Sequence, residues 1–457
     1  MNVYRKERRV QLFFIGWMIM AAWGMTVPLV FAAEPEPAGE AAGAGRLTRE
    51  QDKPIAHLCA GCLAPIFTDG SQGSITPYGR IELDAIYSNR MTNPLDPGQF
   101  NGYATAAGTP SNNSTTFNPR YSVFGLRADR TDGVHTLTGV VEIDFYGQTD
   151  NAGNLLPRLR LANVRYTSGR TSLLVGQDWT PVMQLHPDLI DFSIMGYNGN
   201  LWQRLPQITV RHDFSENLQG LLTVMRFERG LTQCCGQTQV RPLTPPATNV
   251  IGGNQATINA FNDPDQHPYY GSRLAWSGSG STQGVLAAVS VAYRYYRSAP
   301  IPTNASFNSG RDINSYVVGG ELVVPITKNI KFSGEMAYGQ ALGVEWFRFN
   351  QELNLNNGNP IRTFVGWAQV SWAASREFTF LGGYGWDNPL NSDLKGTFAP
   401  AGSNLQYLLN HRTYATVIHP IWADFYTGFE WNHLMTEWAS GQHNQGDNYM
   451  LSFWYNF

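Results

Sequence analysis

Charge is scarce in this chain of 457 residues: 15% are Asp, Glu, Lys or Arg, where soluble proteins carry about a quarter. The few charges nearly cancel, 32 basic against 35 acidic. No basic patch or stripe stands out, which argues against a nucleic-acid partner. Long apolar runs are missing after residue 32, so nothing beyond it is long enough to cross a membrane as a helix. No Gly-x-Ser-x-Gly elbow and no His-Glu-x-x-His motif occurs, so neither a serine hydrolase nor a zinc peptidase is signalled. Cysteine is limited to Cys59, Cys62, Cys234 and Cys235. Leu63 follows Cys62 where c-type haem attachment needs His, and no second Cys-x-x-Cys completes a zinc site. An even count in an exported chain reads as disulfides, so all four are disulfide candidates, and neither metal nor cofactor is expected.

What is present points to export. Arg5, Lys6, Arg8 and Arg9 precede an apolar stretch from Leu12 to Phe31, and Val30-Phe31-Ala32 offers a small-x-small cleavage site. Residues 1–32 therefore read as a signal peptide, although the stretch is also long enough for a permanent anchor. Residues 33–72 follow as a periplasmic linker or extension. Its first part is rich in Ala, Gly, Glu and Pro and reads as flexible, and its later part carries the Cys-x-x-Cys pair.

From residue 73 to 457 the chain breaks into short segments of alternating polarity. Tyr449, Leu451, Phe453, Tyr455 and Phe457 share one face of the last segment, since neighbouring strand residues point to opposite sides. Ile81, Leu83 and Ala85 alternate with Arg80, Glu82 and Asp84, and Val141, Ile143 and Phe145 with Glu142 and Asp144. High aromatic content (13%), 46 glycines and a negative mean hydropathy suit strands that face lipid on one side and water on the other. The connections alternate in length. Tight ones such as Thr131-Asp132-Gly133, Ser168-Gly169-Arg170, Thr327-Lys328 and His419-Pro420 separate long ones at 89–116, 148–156, 179–204, 230–266, 297–310, 340–360, 388–403 and 438–444. Seven turns and eight loops give about sixteen strands, the even number a single-chain outer-membrane barrel requires. The expected fold is an all-β transmembrane antiparallel barrel with short periplasmic turns and long extracellular loops.

Loop 179–204 has an unusual composition for a solvated loop: Trp179, Leu189, Ile190, Phe192, Ile194, Met195, Tyr197 and Trp202. The barrel interior is the nearest place to bury them, so the loop is expected to fold inward as a constriction. Alternation places Arg127, Arg158 and Arg160 on the inner face of the second and fourth strands, with Glu142 and Asp144 between them. Asp188 and Asp191 of the loop are expected to face these arginines. Charges lining a pore set ion selectivity.

Phe124-Gly125-Leu126-Arg127, Glu142-Ile143-Asp144-Phe145, Arg158-Leu159-Arg160-Leu161-Ala162 and Leu174-Val175-Gly176-Gln177-Asp178-Trp179-Thr180 together resemble the Gram-negative porin superfamily over about 75–457, and in particular its DcaP-like porins. The resemblance implies a homotrimer in the outer-membrane lipid, and passive uptake of small hydrophilic solutes, among them anions such as dicarboxylates. The competing readings are a barrel that sheathes a redox partner, raised by Cys59 and Cys62, and a barrel-embedded hydrolase.

Overall fold

The structure, a computed structural model, describes residues 67–69, 73–90, 113–146, 154–226, 267–297, 311–343, 346, 348, 351–354, 357–394, 406–439 and 441–457. The signal peptide, most of the extension and the four cysteines lie outside these residues.

Sixteen antiparallel strands form one sheet that closes on itself. In chain order they are β1 (Gly73–Ser88), β2 (two segments, Ser114–Asn118 and Val123–Thr131), β3 (His135–Asp144), β4 (Arg158–Ser168), β5 (Thr171–Trp179), β6 (Arg204–Asp213), β7 (Leu218–Met225) and β8 (Tyr269–Ser277). The second half is β9 (Leu286–Arg297), β10 (Asp312–Pro325), β11 (Ile330–Gln340), β12 (Arg362–Ala373), β13 (Thr379–Pro389), β14 (Tyr407–Trp422), β15 (Phe425–Trp438) and β16 (His443–Asn456). Both segments of β2 pair with β1, so they count as one interrupted strand. A further short strand, Phe67–Asp69, folds back antiparallel on the start of β1. The extension therefore ends as part of the sheet.

Closure is made between the last strand and the first, from Asn448↔Ser88 to Asn456↔Arg80. The seam continues to the chain terminus, where Phe457 N–H donates to Gly79 O at 3.1 Å and Gly79 N–H to Phe457 O at 3.0 Å. A Cβ on residue 79 would stand 2.6 Å from the Phe457 ring, so the terminal ring packs where only glycine leaves room. Closing the seam satisfies backbone groups that an open edge would leave exposed to lipid.

Alternation sorts the side chains as the pleat dictates. Ile81, Leu83, Leu126, Val141, Val289, Val318, Leu451 and Phe453 point outward and are exposed, while Glu82, Asp84, Glu142, Glu321, Asn432 and Ser452 point inward and are buried. Aromatics gather at both rims of the outer face. Trp276, Trp372, Phe380, Trp422 and Tyr455 stand near the short turns, and Tyr87, Tyr270, Tyr295 and Tyr449 near the long connections. Such girdles mark the two interfaces of a membrane barrel. The turns are built from local polar chemistry. In the β2–β3 turn, the Asp132 carboxylate accepts N–H groups from His135 (2.6 Å) and Val134 (2.9 Å), which hold its pKa below the usual carboxylate range.

Two expected connections differ. The last long loop, placed at 438–444, is a four-residue turn between β15 and β16, tightened by Gly441 N–H to Trp438 O and by Gly441 at φ +85°. The turn placed at His419-Pro420 falls at Ala423-Asp424, because β14 runs on to Trp422 through an irregularity between Pro420 and Trp422. Proline is tolerated there because a bulge removes the need for its missing N–H.

Candidate functional site

The segment between β5 and β6 lies against the inner wall, and all but four of residues 180–203 are buried. Its backbone N–H groups donate to inward-facing side chains on four strands of the second half of the barrel. Met183 donates to Ser290 on β9 (3.3 Å), Leu185 to Glu335 on β11 (2.7 Å), Asp188 to Gln369 on β12 (2.9 Å) and Ile190 to Glu430 on β15 (2.9 Å). An irregular backbone inside a barrel must find such partners, since an unsatisfied buried N–H costs about 1–3 kcal/mol. The loop thereby traverses the lumen from the β9 wall to the β15 wall.

Past that wall it returns across the barrel. Ile190 packs with Ile86 of β1 and Met450 of β16. Phe192 stacks on Tyr146 with ring centroids 3.6 Å apart and meets Tyr121 edge-on at 5.2 Å. The Arg158 guanidinium lies 5.3 Å from the Phe192 ring. Farther along, Asn410 of β14 donates to Tyr197 O (2.8 Å). Gly199, at φ +108°, sits so close to the wall that a Cβ would stand 2.0 Å from Gly366 O and 2.6 Å from Trp386 O. Met183, Ile194, Met195 and Tyr197 also hold left-handed φ values. For branched Ile194 that is a true outlier, and strain of this kind persists only where the surroundings over-determine it.

Two charged assemblies frame the loop. On the β3–β4 wall, Arg158 binds Asp144 (2.6 Å), and Arg160 binds both Glu142 (2.5 Å) and Asp144 (3.0 Å). The ladder pairs Glu142 with Leu161 but Ile143 with Leu159. Arg160 is thus the extra residue of a bulge and turns inward beside Leu161. Tyr78 OH adds a hydrogen bond to Glu142 at 3.0 Å. Beyond the seam, fully buried Arg412 of β14 binds Asp191 of the loop (2.6 Å), Ser193 Oγ (2.9 Å), Glu430 (3.2 Å) and Asn432 (2.8 and 2.5 Å). At the start of β6, Arg204 is caged by the Trp179, Trp202 and Phe192 rings at 4.9, 5.3 and 5.8 Å.

No protein-family model matches this sequence, and no curated protein does. Solved structures do match. The outer membrane channel DcaP of Acinetobacter baumannii aligns over 86% of this chain and 100% of its own, at 15% identity and a TM-score of 0.65. The anion-selective porin from Comamonas acidovorans covers 84% and 100% at 11% identity and 0.51. OprB of Pseudomonas putida covers 84% and 94% at 8% identity and 0.52. This is the porin fold.

Of the seven charges singled out in the sequence, four share one network and three do not join it. Arg158, Arg160, Glu142 and Asp144 come together as one network on the wall. Arg127 stands apart and binds Asp129 two residues on (2.6 Å). Asp188 and Asp191 do not pair with these arginines: Asp191 binds Arg412, while Asp188 meets Lys331 (3.5 Å) and Gln369 (3.2 Å). The reason is geometric. The loop reaches the β11–β15 wall before it turns back, so its acidic residues meet the cations of that wall first. Arg412, Glu430, Glu335 and Gln369 were missed by sequence reasoning. Their only sequence signal is inward alternation, which many lumen residues share.

Proposed function

We propose that the protein is an outer-membrane porin through which small hydrophilic solutes diffuse passively, with loop 180–203 as its constriction. One observation carries the reading: a closed barrel, apolar outside and polar inside, is crossed by a loop fixed to the wall through charged side chains. Fixed charges near such a narrow passage act at lower effective dielectric than in bulk, and so bear on which ions pass.

In this reading residues 1–32 direct export and are cleaved, 33–72 lie on the periplasmic side with the short turns, and the long connections face outward. A homotrimer and an anionic solute class, dicarboxylates among them, belong to the same proposal. Five arginines (158, 160, 165, 204 and 211) stand against four carboxylates (Glu142, Asp144, Asp178 and Asp213) on the inner faces of β3–β6. That leaves one positive charge in excess on this wall and supports a mild anion preference. The Comamonas porin, which shares the fold, is anion-selective, which agrees.

Liposome swelling tests the proposal. Purified protein in proteoliposomes should admit a small dicarboxylate faster than an uncharged solute of similar size. Equal rates would remove the anion preference, and no swelling with any small solute would remove the channel.

A further inference from the structure

A second connection also turns into the lumen. Between β11 and β12, the side chains of Ala341, Leu342, Trp346 and Leu353 are buried, and Trp346 meets Tyr269 of β8 edge-on at 5.6 Å. Leu342 and Trp346 join Val182, Met183 and Leu201 of the constriction loop in one apolar cluster. The wall side of that cluster takes one residue from each of seven consecutive strands, from Leu205 on β6 to Val365 on β12. Half the barrel circumference therefore shares a core with both loops.

Arg348 ties the second loop to the wall most directly among the described residues, beside Gln406 Nε2 donating to Leu353 O (3.0 Å) and Asn354 Nδ2 to Asp393 O (2.8 Å). The Arg348 side chain is 1% exposed, and its guanidinium binds Asp387 of β13 through two parallel bonds, Nε at 2.6 Å and Nη2 at 2.9 Å. Its Nη1 donates to the carbonyls of Leu342 (2.8 Å) and Gln351 (3.3 Å), which ties two parts of the loop to each other. Asp387 is saturated from the wall side by Thr363 Oγ1 (2.9 Å) and Tyr407 OH (2.6 Å). Glu352 accepts a hydrogen bond from Tyr296 of β9. A bidentate Arg–carboxylate pair fixes direction as well as distance.

We infer that Arg348 is a positioning residue for the constriction: locked to Asp387, it holds Leu342 and Trp346 as the backing against which Val182, Met183 and Leu201 rest. The inference builds on the reading of loop 180–203 as the constriction. Core packing transmits such a displacement because interiors are close-packed and a shifted side chain leaves its neighbours unsupported. The geometry of the narrow passage is then set from a strand, β13, on which the constriction loop itself does not begin or end.

The test is Arg348→Met in the full-length protein, with hydrogen exchange and single-channel conductance read side by side. Exchange in residues 180–203 should accelerate by at least about tenfold, a modest change for a severed buried ion pair, while strand amides stay protected. Unit conductance should rise, and Arg348→Lys, which keeps the charge but not the fork, should fall between variant and wild type. Faster exchange confined to 341–361, with 180–203 and conductance unchanged, would overturn the inference. If Arg348→Met does not fold, Leu342→Ala decides, since it removes the apolar backing and leaves the ion pair intact. Exchange is readable whether or not the barrel conducts. A wild type silent in the bilayer would therefore refute the channel reading, while the exchange result still decides the role of Arg348.

Discussion

Arg412 is the side chain whose loss should free the constriction loop most. It is fully buried, and it is the cation that both Asp191 of the loop and Glu430 of the wall bind. In Arg412→Met the methylene bulk is largely kept and the charge is lost. Glu430 would still accept from Thr416 Oγ1 (2.9 Å), Ile190 N–H (2.9 Å) and Asn432 Nδ2 (2.9 Å). Asp191 would keep its bond from Ser193 Oγ. The loss therefore falls on the loop side, where no β-ladder holds the backbone. Removing one partner of a buried ion pair costs roughly 3–5 kcal/mol. At about 1.4 kcal/mol per decade, local opening of the loop should become more frequent by about two to three and a half orders of magnitude. The apolar contacts of Ile190 and Phe192 remain, so the opening is local and the barrel stays folded. Hydrogen exchange of the amides in 190–200, compared with those of β14 and β15, measures it directly. Unaltered exchange in 190–200 of a folded, heat-modifiable Arg412→Met would refute the reasoning, because the ion pair would then hold nothing that the apolar contacts do not.

Other consequences concern the seam, the wall and the close approach. Deleting Phe457 removes both terminal backbone bonds to Gly79 and the ring packed near Phe124 (6.0 Å), so the yield of heat-modifiable barrel should drop on gel electrophoresis; a normal yield would count against terminal closure. Replacing Arg158 and Arg160 with Ala changes their network from two positive and two negative charges to two negative ones. The reversal potential in a salt gradient should then move towards cation selectivity, and no movement in a folded channel would place these residues away from the ion path. Gly199→Ala puts a methyl group against Gly366 O, so the 195–201 segment should lift from β12 and β13 and exchange faster, with strand protection kept; an unchanged loop would show that the wall can yield instead.

The barrel was legible because its signals are local. Period-two alternation and turn residues can be counted one segment at a time, and the strand number follows from the connections. The inward course of 179–204 was legible from composition, since eight apolar or aromatic residues in one loop have nowhere else to go. Charge partnership was not. Asp191 and Arg412 are separated by 221 positions, and only the closed barrel brings them together. Arg160 illustrates a subtler limit: alternation gave its face, while the bulge that turns Leu161 inward beside it needs the register of β3. The second inward loop left little trace, because its anchors are one arginine, one glutamate and a tryptophan among many asparagines. A short polar turn between β15 and β16 escaped for the opposite reason, as residues 438–444 look like the start of a longer loop.

Single-channel recording of the purified wild-type protein in a planar bilayer tests the central claim most directly. A sixteen-strand barrel crossed by a fixed loop should insert as discrete conductance steps. Each step should be several-fold smaller than that of a variant in which residues 182–201 are replaced by a short Gly-Ser linker. Absence of steps from folded wild-type protein, or equal steps from the two forms, would contradict the account.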